Sequence, residues 1–332
     1  MKILVVRFSS IGDIVLTSSV VRCLKNQVQN SHIHFLTKEQ FTPLYDANPN
    51  VDKIYGLSEN WELLLTQLKS ENYDCIIDLH NNLRTKRLKL ALGKPSYSFP
   101  KRNIKKFLLT KFKWNLLSEN EHVVHRYFKP AEKIEVKNDD LPNDFIIAEK
   151  NEMDLTTTSL VSKNYLAFAI GAQFATKKLP VEKLLAICDS VQFPIVLLGD
   201  KKDALVADEL ISKSSNKALI SYCGKLNIQQ SASLLKQAKV VLTHDTGLMH
   251  IAACFSAPIV TIWGNTTPIF GMSAYTPTRK NQAESIEVAD LSCRPCSKIG
   301  YATCPKNHFN CMKLQDVEKI SKIISDKMTG ID

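Results

Sequence analysis

Three segments of the 332-residue chain carry residue types able to do chemistry, and each follows a short apolar run. The first is Arg7-Phe8-Ser9-Ser10-Ile11-Gly12-Asp13, directly after Lys2-Ile3-Leu4-Val5-Val6. A Gly before an Asp at a strand-to-helix turn lets the backbone pass close to a ligand and sets a carboxylate at the mouth of a cleft. The alternative is that Asp13 caps the following helix. One Gly excludes the dinucleotide-binding fingerprint, which needs three at fixed offsets.

The second segment runs from Gly171 through Thr176-Lys177-Lys178-Leu179-Pro180. A small-residue turn with Thr176 and Lys177 ahead of a Pro-initiated helix suits a diphosphate, because helix N-terminal amides and an ammonium both favour anions. Lysines on a surface loop are the bland alternative. The third is Val240-Val241-Leu242-Thr243-His244-Asp245-Thr246-Gly247-Leu248-Met249-His250-Ile251-Ala252-Ala253. Here a buried strand ends in Asp245-Thr246-Gly247, and His250 lies in the first turn of the helix that follows. Amides, hydroxyl and imidazole converge there on a phosphate-sized ligand, against the alternative of a core histidine and a capping Asp.

Strands must deliver these turns, and the apolar runs supply them. Lys2 to Val6, Ile33 to Thr37, Val51 to Tyr55 and Tyr73 to Leu79 alternate with helix-length segments. The rhythm lapses between Lys129 and Lys163, where Asp139-Asp140 reads as solvated surface, and restarts with Tyr165 to Ile170, Ile195 to Leu198, Ala218 to Ser221, Val240 to Thr243 and Ile259 to Trp263. Continuous apolar strands separated by helices predict parallel sheets covered on both faces. The fold class is α/β, with two doubly wound Rossmann-like domains, 1–155 and 156–332, facing across a cleft. A last helix, Leu314 to Met328, carries Val317, Ile320, Ile323 and Ile324 to pack on the second domain.

Composition sets the class of partner. Hydrophobic residues are 44% and charged residues 23%, ordinary for a globular protein, and no leading basic-apolar segment or spanning run is present, so a cytoplasmic location is expected. Net charge is +10, yet Leu79 to Ser118 alone holds eleven Lys and Arg and no acid, leaving the rest of the chain at −1. That patch points to an anionic partner: an acidic substrate, an anionic membrane face or nucleic acid. Phe107, Phe112 and Trp114 read as one side of amphipathic helices, and no nucleic-acid recognition motif accompanies them, so no nucleic acid is expected. Of nine cysteines, Cys293, Cys296, Cys304 and Cys311 cluster near the C-terminus. Reduced packing cysteines, a structural zinc and a redox pair all fit, although zinc sites more typically show a second close pair.

With these segments in place the chain resembles the heptosyltransferase family of glycosyltransferases, glycosyltransferase family nine. The resemblance rests on Arg7 with Ile11-Gly12-Asp13, on Thr176 to Pro180, on Asp245-Thr246-Gly247-Leu248-Met249-His250-Ile251-Ala252-Ala253, and on the Cys-rich tail. Leu179 stands where the family usually has Trp, and Ser18-Ser19 where a Pro is common. The resemblance implies a GT-B architecture, Asp13 as general base, and a donor site of Thr176, Lys177, Asp245, Thr246, Gly247 and His250. It implies inverting, metal-independent transfer of a heptose-like sugar from an ADP-heptose-like donor to an anionic lipopolysaccharide core acceptor, with no cofactor required. An enzyme using a different nucleotide sugar, including an epimerase, and a basic nucleic-acid-binding protein are the alternatives. Lys101, Arg102, Lys105 and Lys106 are expected to meet the acceptor and to hold the enzyme peripherally on the inner face of the cytoplasmic membrane.

Overall fold

Strands buried along nearly their whole length, rather than alternately, form the interior of both sheets. The computed structural model describes residues 1–118, 121–279 and 281–330. The chain divides into two units, Met1–Arg102 with Asn120–Ala148, and Asn103–Glu119 with Glu149–Asp332.

In the first unit β1 (Lys2–Val6), α1 (Ile11–Val15), α2 (Ser18–Gln27), β2 (His32–Lys38), β3 (Lys53–Leu57), α3 (Trp61–Ser70), β4 (Cys75–Asp78), α4 (Leu83–Leu92) and β5 (Ser96–Ser98) follow in order. Then comes α5 (Asn103–Phe112), which belongs to the second unit, and α6 (Val123–Ala131), which returns to the first. All five strands run parallel in the order β3-β2-β1-β4-β5. β1 is central, and Leu4, Val6, Leu36 and Ile76 meet Leu64 and Leu68 of α3 and Leu88 of α4. Each such side chain removed from water contributes about 1.5–3 kcal/mol.

The second unit holds β6 (Leu166–Ala169), α7 (Val181–Ser190), β7 (Ile195–Leu198), α8 (Ala204–Lys213), β8 (Leu219–Ser221), α9 (Ile228–Gln237), β9 (Val240–His244), α10 (Gly247–Ala252), β10 (Ile259–Trp263), β11 (Ala283–Glu287), α11 (Asn310–Lys313) and α12 (Val317–Thr329). Its sheet is parallel in the order β11-β10-β9-β6-β7-β8. Numbered within the unit, this is the Rossmann strand order. α12 buries Ile320, Ile324 and Met328, spaced i, i+4, i+8, in this unit's core.

Both sheets reverse their winding once, between β1 and β4 and between β6 and β9. Register brings the strand ends level there: Val6 pairs with Asp78, and Ala169 with Thr243. Loops leaving such a switch point diverge and open a crevice for ligand. All three segments of interest leave these strands.

Four expectations need correction. β5 and β11 are strands that the sequence does not announce, because Ser96-Tyr97-Ser98 has no apolar run and only Ile286 of β11 is buried. The boundary falls near Ala148 rather than 155, and 103–119 groups with the second unit, so the basic run is divided between the two. Asp139 is not merely solvated: Arg22 of α2 donates to it at 2.8 and 3.0 Å and pairs with Asp144 at 2.5 Å, fastening the connecting segment to the first unit. Phe107, Phe112 and Trp114 are more than half exposed instead of packed.

Candidate functional site

At the switch point of the first unit, Asp13 is the third residue of α1, and both of its oxygens are occupied. Oδ2 accepts from the Ser10 hydroxyl at 2.9 Å and the Ser10 amide at 3.3 Å, so the residue does cap the helix. Oδ1 lies 2.7 Å from Nη2 of Arg7 and accepts from the Tyr127 hydroxyl of α6 at 3.0 Å. Arg7 is itself fixed, donating from Nε to the Ser9 carbonyl at 2.8 Å and from Nη1 to the Leu79 carbonyl at 2.6 Å. Its guanidinium lies 5.9 and 5.4 Å from the ring centroids of Phe99 and Tyr127. Burial alone would push the Asp13 carboxyl up, but Arg7, Ser10 and Tyr127 outweigh it and hold its pKa down at about 2.

Beside this cluster, His80 packs on Phe8 with ring centroids 5.2 Å apart, and its pKa is lowered to about 4 by burial and by the charges of Arg7 and Lys101. It is a neutral imidazole at physiological pH. Asp78, fully buried at the end of β4, accepts from the amides of His80 and Asn81 and pairs with Lys89 at 2.9 Å, which shapes the loop. The same unit carries a groove of about 810 Å³ lined by Lys38, Glu39, Glu59, Trp61, Arg84 and Arg87 among others. Arg84 leans over Phe8 and Arg87 over Trp61.

At the switch point of the second unit, a single turn of 3₁₀ helix, Ala175–Lys177, follows β6. Lys177 Nζ sits 2.6 Å from Oδ2 of Asp245, which also accepts from the Thr266 hydroxyl at 2.8 Å. Thr246 stands at the N-cap position of α10 without a side-chain capping bond, Gly247 opens the helix, and His250 is buried within it. The structure thus brings together Lys177 and Asp245, with Thr246 next in chain. The Thr176 hydroxyl donates to the Tyr301 carbonyl at 3.1 Å and accepts from the Tyr301 amide at 2.8 Å, which fastens the turn.

Two glycines allow this packing. A Cβ on Gly264 would stand 2.7 Å from the Thr176 carbonyl, and one on Gly171 would stand 2.1 Å from Oδ2 of Asp203, the carboxylate that holds Lys178 at 2.6 Å. His244 and Arg294 complete the frame. Nε2 of His244 accepts from the Leu179 amide at 3.1 Å, which ties the lysine turn to β9, and burial lowers its pKa to about 4. Arg294 donates to the carbonyls of Gly264 and Thr266 and to Glu287. Neither has a motif of its own. Tyr127 is harder still to find, lying 114 residues from Asp13 in sequence.

The acceptor lysines are dispersed. Arg102 pairs with Glu121 at 3.0 Å, Lys106 lies 5.2 Å from the Phe270 ring centroid, and Lys105 and Lys106 belong to α5 with the second unit, whereas Lys101 and Arg102 belong to the first. All nine cysteines are free thiols. Burial raises the pKa of Cys311 to about 12, and among the described residues no group of three or more His, Cys, Asp or Glu is arranged to hold a metal ion.

Each unit thus sets an acid-cation pair at the switch point of its parallel sheet. The chain belongs to glycosyltransferase family 9 (heptosyltransferase), whose model matches residues 61–305. It is 27% identical over 321 residues to a lipooligosaccharide heptosyltransferase 2 of Haemophilus ducreyi, covering 87% of this chain and 89% of that one. The fold matches a glycosyl transferase family 9 structure from Veillonella parvula with a TM-score of 0.79 at 19% identity, over 99% of this chain and 97% of that one. It also matches an E. coli ADP-heptose lipopolysaccharide heptosyltransferase II with a TM-score of 0.74 at 20% identity, over 99% of each chain. The α/β GT-B fold class expected from sequence is thereby shown, and the nucleic-acid-binding alternative is not favoured.

Proposed function

We propose that the chain transfers heptose from ADP-heptose to a lipopolysaccharide core acceptor by a single inverting displacement. The observation that carries it is the pair of switch-point sites: a fixed carboxylate at Asp13 in one unit, and in the other an ammonium at Lys177 held by Asp245, the residue that precedes Thr246 and Gly247 at the start of α10. The named substrates of the similar proteins, ADP-heptose and lipopolysaccharide, support the choice of donor and acceptor.

In this mechanism Asp13 takes the proton of an acceptor hydroxyl as that oxygen bonds to the anomeric carbon. The bond from that carbon to the diphosphate oxygen breaks, and ADP departs with the electron pair. Attack from the face opposite the leaving group inverts the anomeric centre. Lys177, released from Asp245, and the amides of Thr246 and Gly247 meet the charge that develops on the diphosphate. They supply positive charge without a metal. Arg7 and Tyr127 hold the base still, and Lys38, Arg84 and Arg87 offer cations to anionic substituents of the acceptor in a groove that Glu39 and Glu59 also line.

The test combines a nucleotide screen with a product assay. Melting temperature is measured with ADP, UDP, GDP and CDP and with their sugars, and heptosyl transfer to a core acceptor is followed by mass, with anomeric configuration by NMR. Selective stabilisation by ADP and its heptose is expected, since a ligand of the native state raises apparent stability. Stabilisation by another nucleotide alone, a retained anomeric configuration, or loss of turnover in chelator restored by a divalent ion would each overturn the corresponding part.

A further inference from the structure

The stretch around α5 leaves an apolar surface uncovered. Ile104 is 76% exposed, Phe107 54%, Phe112 52%, Trp114 60% and Leu116 53%. The aromatic side chains touch one another: Phe107 meets Phe112 edge-on with centroids 6.2 Å apart, and Phe112 lies 5.5 Å from Trp114. A patch of clustered large apolar side chains is uncommon on a monomer surface and marks a contact site. The opposite side of the segment is anchored. Leu109 is buried, Lys113 donates to the carbonyls of Cys293 at 2.9 Å and Pro295 at 2.8 Å, and Lys106 leans on Phe270.

We propose that Ile104, Phe107, Phe112, Trp114 and Leu116 form a docking face that enters the headgroup region of an anionic lipid bilayer. Charge complementarity selects that occupant. The aromatics share the second-unit segment 103–118 with Lys105, Lys106, Lys111 and Lys113 and with no acid, and Lys111 is exposed among them. A second copy of the chain would bring the same positive field to the contact, which disfavours self-association. Aromatic and aliphatic side chains beside lysines are the composition of segments that lie in the interface plane, with Trp at headgroup depth. Among the described residues no helix is long and apolar enough to cross a membrane. The face would hold the enzyme where a lipid-borne acceptor is found, and in that sense it deepens the proposed function. Vesicle binding is read without donor or acceptor, so its failure and the failure of heptosyl transfer are separate results.

The experiment uses the full chain and vesicles of phosphatidylethanolamine with phosphatidylglycerol, against phosphatidylcholine alone. Wild type is expected to co-sediment with the anionic vesicles, and the triple variant Phe107→Ser, Phe112→Ser, Trp114→Ser to bind at least ~10-fold less. Lys105→Gln with Lys111→Gln is expected to weaken binding less, with an effect that vanishes at high salt. Because the chain has three tryptophans, the Trp114 signal is the emission difference between wild type and Trp114→Phe, and it should shift to the blue with vesicles. That single variant keeps the test open if the triple variant melts early. Equal vesicle binding by wild type and the triple variant, or a Trp114 emission indifferent to lipid, would overturn the proposal. So would a lipid-free dimer that the triple variant dissolves, which would assign the face to a second copy.

Discussion

Each unit places an aspartate against a cation at its own switch point, yet the two pairs are built differently. Arg7 reaches Asp13 while its other nitrogens are tied to the Ser9 and Leu79 carbonyls, and Tyr127 and Ser10 take the remaining positions on the carboxylate. Lys177 instead reaches Asp245 from the last residue of a single 3₁₀ turn, through an ammonium that also lies 3.4 Å from the Asp245 carbonyl. A guanidinium fork held at three acceptors cannot leave without stranding buried charge, whereas a lysine on a flexible stem can exchange a carboxylate for a phosphate. The first pair is suited to keeping a reacting group in place, the second to taking up and releasing a ligand.

Asp13→Asn is the strongest way to break that contrast. The amide keeps the shape and the Ser10 and Tyr127 neighbours but cannot accept the proton, so turnover should fall by ~10² to 10⁴ with ADP affinity unchanged. Steady-state heptosyl transfer and calorimetric ADP binding check the two halves. Near wild-type turnover would remove Asp13 as the base. Lys177→Ala tests the other pair and should act on binding: a charged hydrogen bond is worth about 1.5–3 kcal/mol, or roughly 10- to 150-fold in the donor dissociation constant. An unchanged constant would mean that Lys177 never leaves Asp245.

Much of this was legible in the sequence because its signals are local. Unbroken β-branched and apolar runs announced nine of the strands, and the turns with Gly12-Asp13, Lys177 and Asp245-Thr246-Gly247 lie within a few residues of those runs. What was not legible depends on the other side of a contact. β5 and β11 pair by backbone at sheet edges and need few apolar side chains. Thr176 is of a type that binds phosphate, and only the approach of Tyr301 shows its hydroxyl already taken. Periodicity gave α5 an apolar face without saying what, if anything, covers it.

Tyr127→Phe tests the fixed pair through its third partner, the tyrosine hydroxyl. Losing the hydroxyl frees one position on Oδ1 and removes one of the interactions that keep the Asp13 carboxyl low. Turnover should drop about tenfold with donor KM unchanged, and the acid limb of the kcat profile should move to higher pH. Arg7, His80, Asp78, Lys101 and Arg126 face the same cluster and stay in place, so Asp13→Asn serves as the reference that lacks this limb. If Asp13→Asn abolishes turnover and Tyr127→Phe matches wild type in both kcat and its pH profile, the tyrosine packs and does not position.

The smallest expected effect concerns the frame of the exchangeable pair. His244 is fully buried, accepts from the Leu179 amide through Nε2, and has its pKa lowered by burial from 6.5 to about 4. The unfolded chain therefore binds this proton at higher pH than the native one. The contribution is therefore fully present above pH 6.5 and is lost as pH falls toward 4, at about 1.4 kcal/mol for each pH unit between the two values. His244→Gln keeps an acceptor for Leu179 but does not titrate. It should be less stable than wild type at pH 7, while its denaturant midpoint should fall less steeply between pH 6.5 and 4. Parallel slopes in the two proteins would show that His244 is not a source of this pH dependence. A flattened slope accompanied by weaker ADP binding would show, further, that the imidazole holds the Lys177 turn in its receptive position.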